Sequence, residues 1–154
     1  MATGGTGGGP ARVPAARSLM VFQEHLMRGL WAERHLQALA NDPKSVGPLV
    51  AIVECSQKYQ KQHQSATAAN DVAKLRNAAT RNRVCMCHAV CPTETFDWLS
   101  CARAAVKQQR EEGADAAAAW KSCDRKRRTL EACTQWESTR LLHAAVLPST
   151  DARR

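Results

Sequence analysis

Apolar residues recur along this chain at helical spacing, and no strand-like alternation or hairpin turn signal interrupts them. In ARSLMVFQEHLMRGLWAERHLQAL, residues 16–39, Leu19, Phe22, Leu26 and Leu30 form one stripe. The segment has no proline and one glycine, Gly29, so a single amphipathic helix is predicted, ended by Asn41-Asp42-Pro43. Met20, Met27 and Trp31 fall on a different face. This helix is therefore contacted on two sides, or it carries exposed Met on the side away from the core.

Pro48 opens a second helix, PLVAIVECSQKYQKQHQ, as proline suits a first helical turn. Its stripe is Leu49, Ile52 and Val53, with Cys55 two residues on. Asn70 or Asp71 caps a third, DVAKLRNAATRNRVCMC, with Val72, Leu75 and Ala79 on one side and Arg76, Arg81 and Arg83 on a solvated face. Pro92 starts a fourth, which runs to Gly113, a natural helix-ending residue. Asp115 caps the last, residues 116–147, and Pro148 ends it. The predicted class is all-α.

Composition adds a constraint. The chain has 154 residues but only two Phe, one Tyr and four Trp for large-area burial, together with seven Cys. Small chains short of core residues often compensate with covalent staples. The formal net charge of +8 favours acidic partners. No run of 18 apolar residues exists, so no membrane-spanning helix is predicted. The Gly-rich opening, MATGGTGGGPARVP, reads as disordered. The first 23 residues hold Arg12 and Arg17 but no acid, which fits either a mitochondrial presequence over residues 1–30 or a flexible terminus. The predicted organisation is a disordered terminus at 1–15, a helical region at 16–88, a helical hairpin at 89–147 and a loose tail at 148–154.

The cysteines organise that hairpin. Cys91 and Cys101 have nine residues between them, and so do Cys123 and Cys133. Ten residues make just under three helical turns, so each pair lies on roughly one side of its helix. Paired in nested fashion, Cys91 with Cys133 and Cys101 with Cys123, both couples share a midpoint at residue 112. That is the turn chosen independently from its Glu112-Gly113 chemistry. On the Cys101 side lie Trp98, Ala104, Ala105 and Gln108; on the Cys123 side lie Ala116, Ala119, Trp120, Leu130 and Leu141. Small alanines permit the close helix approach that a disulfide needs. One zinc ion held by these four cysteines is disfavoured, because the two of each motif lie too far apart to share it.

This pattern resembles the twin C-x9-C, or coiled-coil-helix–coiled-coil-helix (CHCH), family, over residues 91–133. Besides the four cysteines, the Phe96/Trp98/Leu99 cluster and Leu130 are similar to the family. The 21 residues between Cys101 and Cys123 exceed the family's usual loop. The resemblance implies the mitochondrial intermembrane space, peripheral to the inner membrane, with oxidation by a disulfide-relay oxidoreductase during import. It also implies partners among the subunits of an inner-membrane complex, since many such proteins are respiratory-chain accessory subunits or assembly factors. Others are mitoribosomal proteins, copper metallochaperones or thiol oxidoreductases, so the fold does not choose among these.

CMCHAVC, residues 85–91, bears on that choice. Cys85, Cys87 and His88 are candidate soft-metal ligands, or a Cys-x-Cys redox pair whose thiol pKa Arg81 and Arg83 would lower. The competing role is a third staple. Cys55 with Cys85, or Cys55 with Cys87, has its midpoint at residue 70 or 71, the cap between the second and third helices. Either choice leaves one thiol free, and sequence alone does not fix connectivity.

Other surfaces point to partners. Phe96, Leu99 and Val106 lie on the side of their helix away from Cys101, and Trp136 lies off the Cys123 face, so these four are candidate interface residues. Arg125, Lys126, Arg127 and Arg128 are a candidate phosphate grip, though without aromatic interleaving, and otherwise a solvated face. No Ser/His/Asp arrangement, phosphate loop or paired carboxylate setting is visible. The sequence is therefore read as a structural component, not an enzyme, that uses no cofactor.

Overall fold

In the computed structural model, residues 13–112 and 115–147 are described, and they form seven helices with no strand among them. They are α1 (Arg17–Met27), α2 (Glu33–Asn41), α3 (Val46–Ala68), α4 (Val72–Val90), α5 (Pro92–Glu112), α6 (Ala116–Lys121) and α7 (Asp124–Val146). Of the predicted presequence over 1–30, residues 13–30 are described and include α1, whereas residues 1–12 of the predicted disordered terminus lie outside the described residues. So do the turn residue Gly113 and the tail from Pro148.

The predicted helix over 16–39 is two helices. Gly29 adopts φ +68°, and its N–H donates to the Leu26 carbonyl at 3.2 Å while Leu30 N–H donates to His25 at 2.9 Å. This is the Schellman arrangement, in which a left-handed residue closes the helix and satisfies its last carbonyls. Periodicity continues across the break because α2 packs on the same core, with Leu39 fully buried. Trp31, in the connection, folds back on α1. Its ring centroid lies 5.1 Å from that of Phe22, and its Nε1 donates to the Phe22 carbonyl at 3.5 Å.

The second helix begins earlier than Pro48, at Val46, with Pro48 still in its first turn. The α3–α4 turn repeats the Schellman device. Asn70 sits at φ 52°, and Asp71 N–H donates to the Ala66 carbonyl at 3.0 Å. The Asp71 carboxylate then accepts the Lys74 N–H at 3.1 Å, capping α4. At the far end of α4, Cys91 leaves the helical region because a residue before proline is pushed out of it, and Pro92 starts α5.

The predicted last helix is also divided. α6 and α7 are separated at Ser122-Cys123, where Cys123 N–H donates to Trp120 at 3.0 Å in a tight turn. Both residues keep right-handed backbone angles, so the axis is interrupted and not reversed. Asp115 occupies the N-cap position of α6, but its side chain makes no capping bond.

The packing centres on α7, which touches α1, α2, α4 and α5. Its buried stripe is Leu130, Thr134, Ser138, Leu141 and Ala145. The two hydroxyls bond their own helix: Thr134 Oγ1 donates to the Glu131 carbonyl at 2.9 Å and Ser138 Oγ to Thr134 at 2.7 Å. Small, internally satisfied side chains let four helices approach. One hydrophobic cluster joins Leu19, Leu39, Ile52, Met86, Trp98, Leu130 and Leu141, so the N-terminal helices and the hairpin after residue 89 share a core.

The predicted α5 contact face is correct at Trp98 and Ala105 but not at Ala104 and Gln108, which are exposed. The buried line runs through Trp98, Ala102 and Ala105, at i, i+4 and i+7. Ala104 lies to one side of that line, and Gln108 lies beyond its end.

Candidate functional site

Three disulfides clamp the longer helices to one another. Cys55 on α3 is bonded to Cys85 on α4, with Cα atoms 5.8 Å apart. Cys91, at the α4–α5 joint, is bonded to Cys133 on α7, with Cα atoms 6.3 Å apart. Cys101 on α5 is bonded to Cys123, at the α6–α7 break, with Cα atoms 5.7 Å apart. Cys55 is joined to Cys85 and not to Cys87, and the reason is helical phase. Two residues along α4 turn the side chain by about 200°, so only one of these cysteines can face α3. Cys87 points the other way and is a free, buried thiol. Burial pushes its pKa up to about 11, Glu131 adds to the rise, and Arg83 opposes it. At neutral pH it is a thiol, neither a nucleophile nor a ready metal ligand.

The structure therefore does not assemble Cys85, Cys87 and His88 into a ligand set. Cys85 is in a disulfide, Cys87 is inside, and His88 is exposed. Nor can Cys85 and Cys87 form a redox pair, since their side chains leave the helix in nearly opposite directions. Among the described residues, one group has donor atoms close enough for a metal: Cys91, Glu94 and Cys133. Its two sulfurs are already bonded to each other.

The four predicted interface residues divide into two kinds. Phe96 is 64% exposed and Trp136 is 71% exposed. Leu99 and Val106 are half-buried against the core. Leu99 also floors a cleft of about 350 Å³ beside the Cys55–Cys85 bridge, rimmed by Glu54, Lys58 and His88. In the basic run, Arg125, Lys126 and Arg128 are exposed. Arg127 is not part of that surface, because it pairs with Asp124 at 3.6 Å and with Glu131.

Two polar clusters escaped the sequence reading. Gln23 on α1, Ser56 on α3 and Asn82 on α4 are buried together. The Gln23 and Asn82 amides exchange bonds of 2.9 and 2.8 Å, and Gln23 Nε2 also donates to Ser56 Oγ at 3.0 Å. Ser56 Oγ donates in turn to the Ile52 carbonyl at 2.7 Å. At the other end of the core, Arg140 on α7 donates to Ser45 Oγ at 3.1 Å and to the Lys44 carbonyl at 3.0 Å, and it pairs with Glu137 at 2.9 Å. This fastens the α2–α3 connection to α7. The Ser45 hydroxyl donates to Asp42 and, helped by the Lys44 N–H and Arg140, holds that carboxyl below its usual range. The signal for the first cluster was Gln23 itself, which lies one residue from Phe22 and four from Leu19 on the buried side of α1.

No family model, curated protein or solved structure matches the chain. Among the described residues, no helix is long and apolar enough to cross a membrane.

Proposed function

We propose that this chain is a structural accessory subunit or assembly factor of a mitochondrial respiratory-chain complex. It is held on the intermembrane-space side and oxidised by the disulfide relay during import. One observation carries this reading: disulfides clamp the longer helices to one another while Phe96 and Trp136 remain exposed. Disulfides persist in oxidising compartments. Large exposed aromatics on a covalently fixed frame suit docking, since little order must be gained on binding. The resemblance to the CHCH family supplies the compartment. The role is non-enzymatic, with Phe96, Trp136 and the open edge of Leu99 as the contact.

A mitoribosomal role is the second reading, favoured by the exposed Arg125, Lys126 and Arg128. The copper-chaperone or thiol-oxidoreductase reading loses its basis, because Cys85 and Cys87 do not act as a pair.

Native-gel profiling of mitochondria carrying the tagged protein tests the proposal. Co-migration with a respiratory complex is expected, lost in Phe96→Asp/Trp136→Asp with the purified fold unchanged. Co-sedimentation with ribosomal RNA would sink the first reading in favour of the second.

A further inference from the structure

The distal half of the α3–α4 hairpin is an arm. Between Gln57 and Arg81 only Ala66 and Ala78 are buried, so little packs on it beyond the two helices themselves. Its charge is one-sided. Residues 56–90 hold Lys58, Lys61, Lys74, Arg76, Arg81 and Arg83 against a single acid, Asp71. Asp71 is engaged in capping α4, and among the described residues none of the six cations makes an ion pair.

Three of these cations converge. Lys61 from α3 and Lys74 and Arg81 from α4 line an open groove of about 510 Å³. Buried Ala78 lies between them, and Gln62, Ser65 and Asn77 complete the lining without any carboxylate. Lys74 and Arg81 are seven residues apart, hence on one side of α4 and about 10 Å apart along its axis. That interval matches carboxylates two turns apart on a helix or three residues apart on an extended chain. No aromatic side chain lines the groove, so it offers no stacking platform for bases. Its amides and hydroxyl can both donate to and accept from peptide groups.

We propose that this groove is a docking site for an acidic segment of a partner protein. It lies on a different part of the molecule from Phe96 and Trp136, and it does not rest on the proposed compartment or complex.

The probe is a fluorescein-labelled octaglutamate peptide, titrated with the full-length oxidised protein and followed by anisotropy at low and moderate salt. Salt-sensitive binding is expected. Lys74→Glu/Arg81→Glu is expected to weaken it at least tenfold. Arg125→Glu/Arg128→Glu, which changes net charge equally at exposed positions on α7, is expected to change it less than twofold. Lys74→Gln/Arg81→Gln guards against misfolding of the reversed variant and is expected to weaken binding by an intermediate factor, with an unchanged circular dichroism spectrum. Equal weakening by both charge reversals would overturn the proposal, as would absence of binding. Tighter binding of a single-stranded RNA or an anionic phospholipid vesicle to the same groove would assign it to nucleic acid or membrane instead.

Discussion

Single side chains decide how this small core closes. Gln23 is the clearest case, because its amide pairs with Asn82 and reaches Ser56 where α1 crosses α3 and α4. A buried polar group costs little when paired and about 1–3 kcal/mol when orphaned. Gln23→Leu would orphan the Asn82 amide, and it is expected to lower the unfolding free energy by about 1–3 kcal/mol in urea titrations. Gln23→Leu/Asn82→Leu is expected to recover part of that loss, since no amide is then left unpaired. Cys87 gives a pH signature. Its pKa rises from 9.0 to about 11 on folding, so below pH 9 the thiol is neutral in both states and its stabilisation is fully present. Above pH 9 the unfolded chain ionises first, and stability falls as the pH rises towards 11. The loss attributable to this group is about 2–3 kcal/mol. Cys87→Ala is expected to flatten that part of the stability curve relative to the parent, whatever its offset at pH 7.

At the scale of elements, helix ends carry the information that periodicity does not. Gly29 breaks α1 from α2 at φ +68°, and a Cβ built there meets nothing within 4 Å. Gly29→Ala therefore tests backbone conformation without a steric clash. It is expected to cost about 1–2 kcal/mol, read as a lowered melting temperature. The Asn70-Asp71 turn was legible because a left-handed residue and an N-cap stand side by side with an apolar stripe before and after. The Gly29 break was not, because one glycine inside a continuing stripe looks like a tolerated residue until its left-handed backbone is seen. The Ser122-Cys123 break has no residue-level signal at all, since both positions keep right-handed angles. In the candidate site, spacing along one helix organises the cysteines into facing pairs. The choice between Cys85 and Cys87 needs the rotational phase of α4 against α3, which a midpoint does not contain. Phe96 and Trp136 read as outward-facing from their own helices. Leu99 and Val106 read the same way, yet they are half-buried against the core, which a single helix's phase does not reveal.

For the whole molecule, the question is whether the clamps act on one cooperative unit or on two. The core joins Leu19 and Leu39 to Leu130 and Leu141 without a gap at residue 89, and Arg140 ties α7 to the α2–α3 connection. A single urea transition is therefore expected for the oxidised chain and for variants lacking one bridge. Two resolved transitions would mean that the N-terminal helices and the later hairpin fold separately. Within one unit, chain entropy ranks the bridges by the loop each closes. Cys91–Cys133 spans 42 residues and Cys101–Cys123 spans 22. Because the second loop is nested in the first, removing either bridge as a paired Cys→Ser variant with the other intact is expected to cost about 3 kcal/mol, slightly more for the outer one. The Cys101–Cys123 bridge, however, sits where the α6–α7 axis is interrupted, and there it holds Trp120 and Ala119 against α5. If its removal costs more than that of the longer loop, native packing at this joint outweighs chain entropy. The bridge would then be a positioning device for α6 as well as a restraint on the unfolded chain.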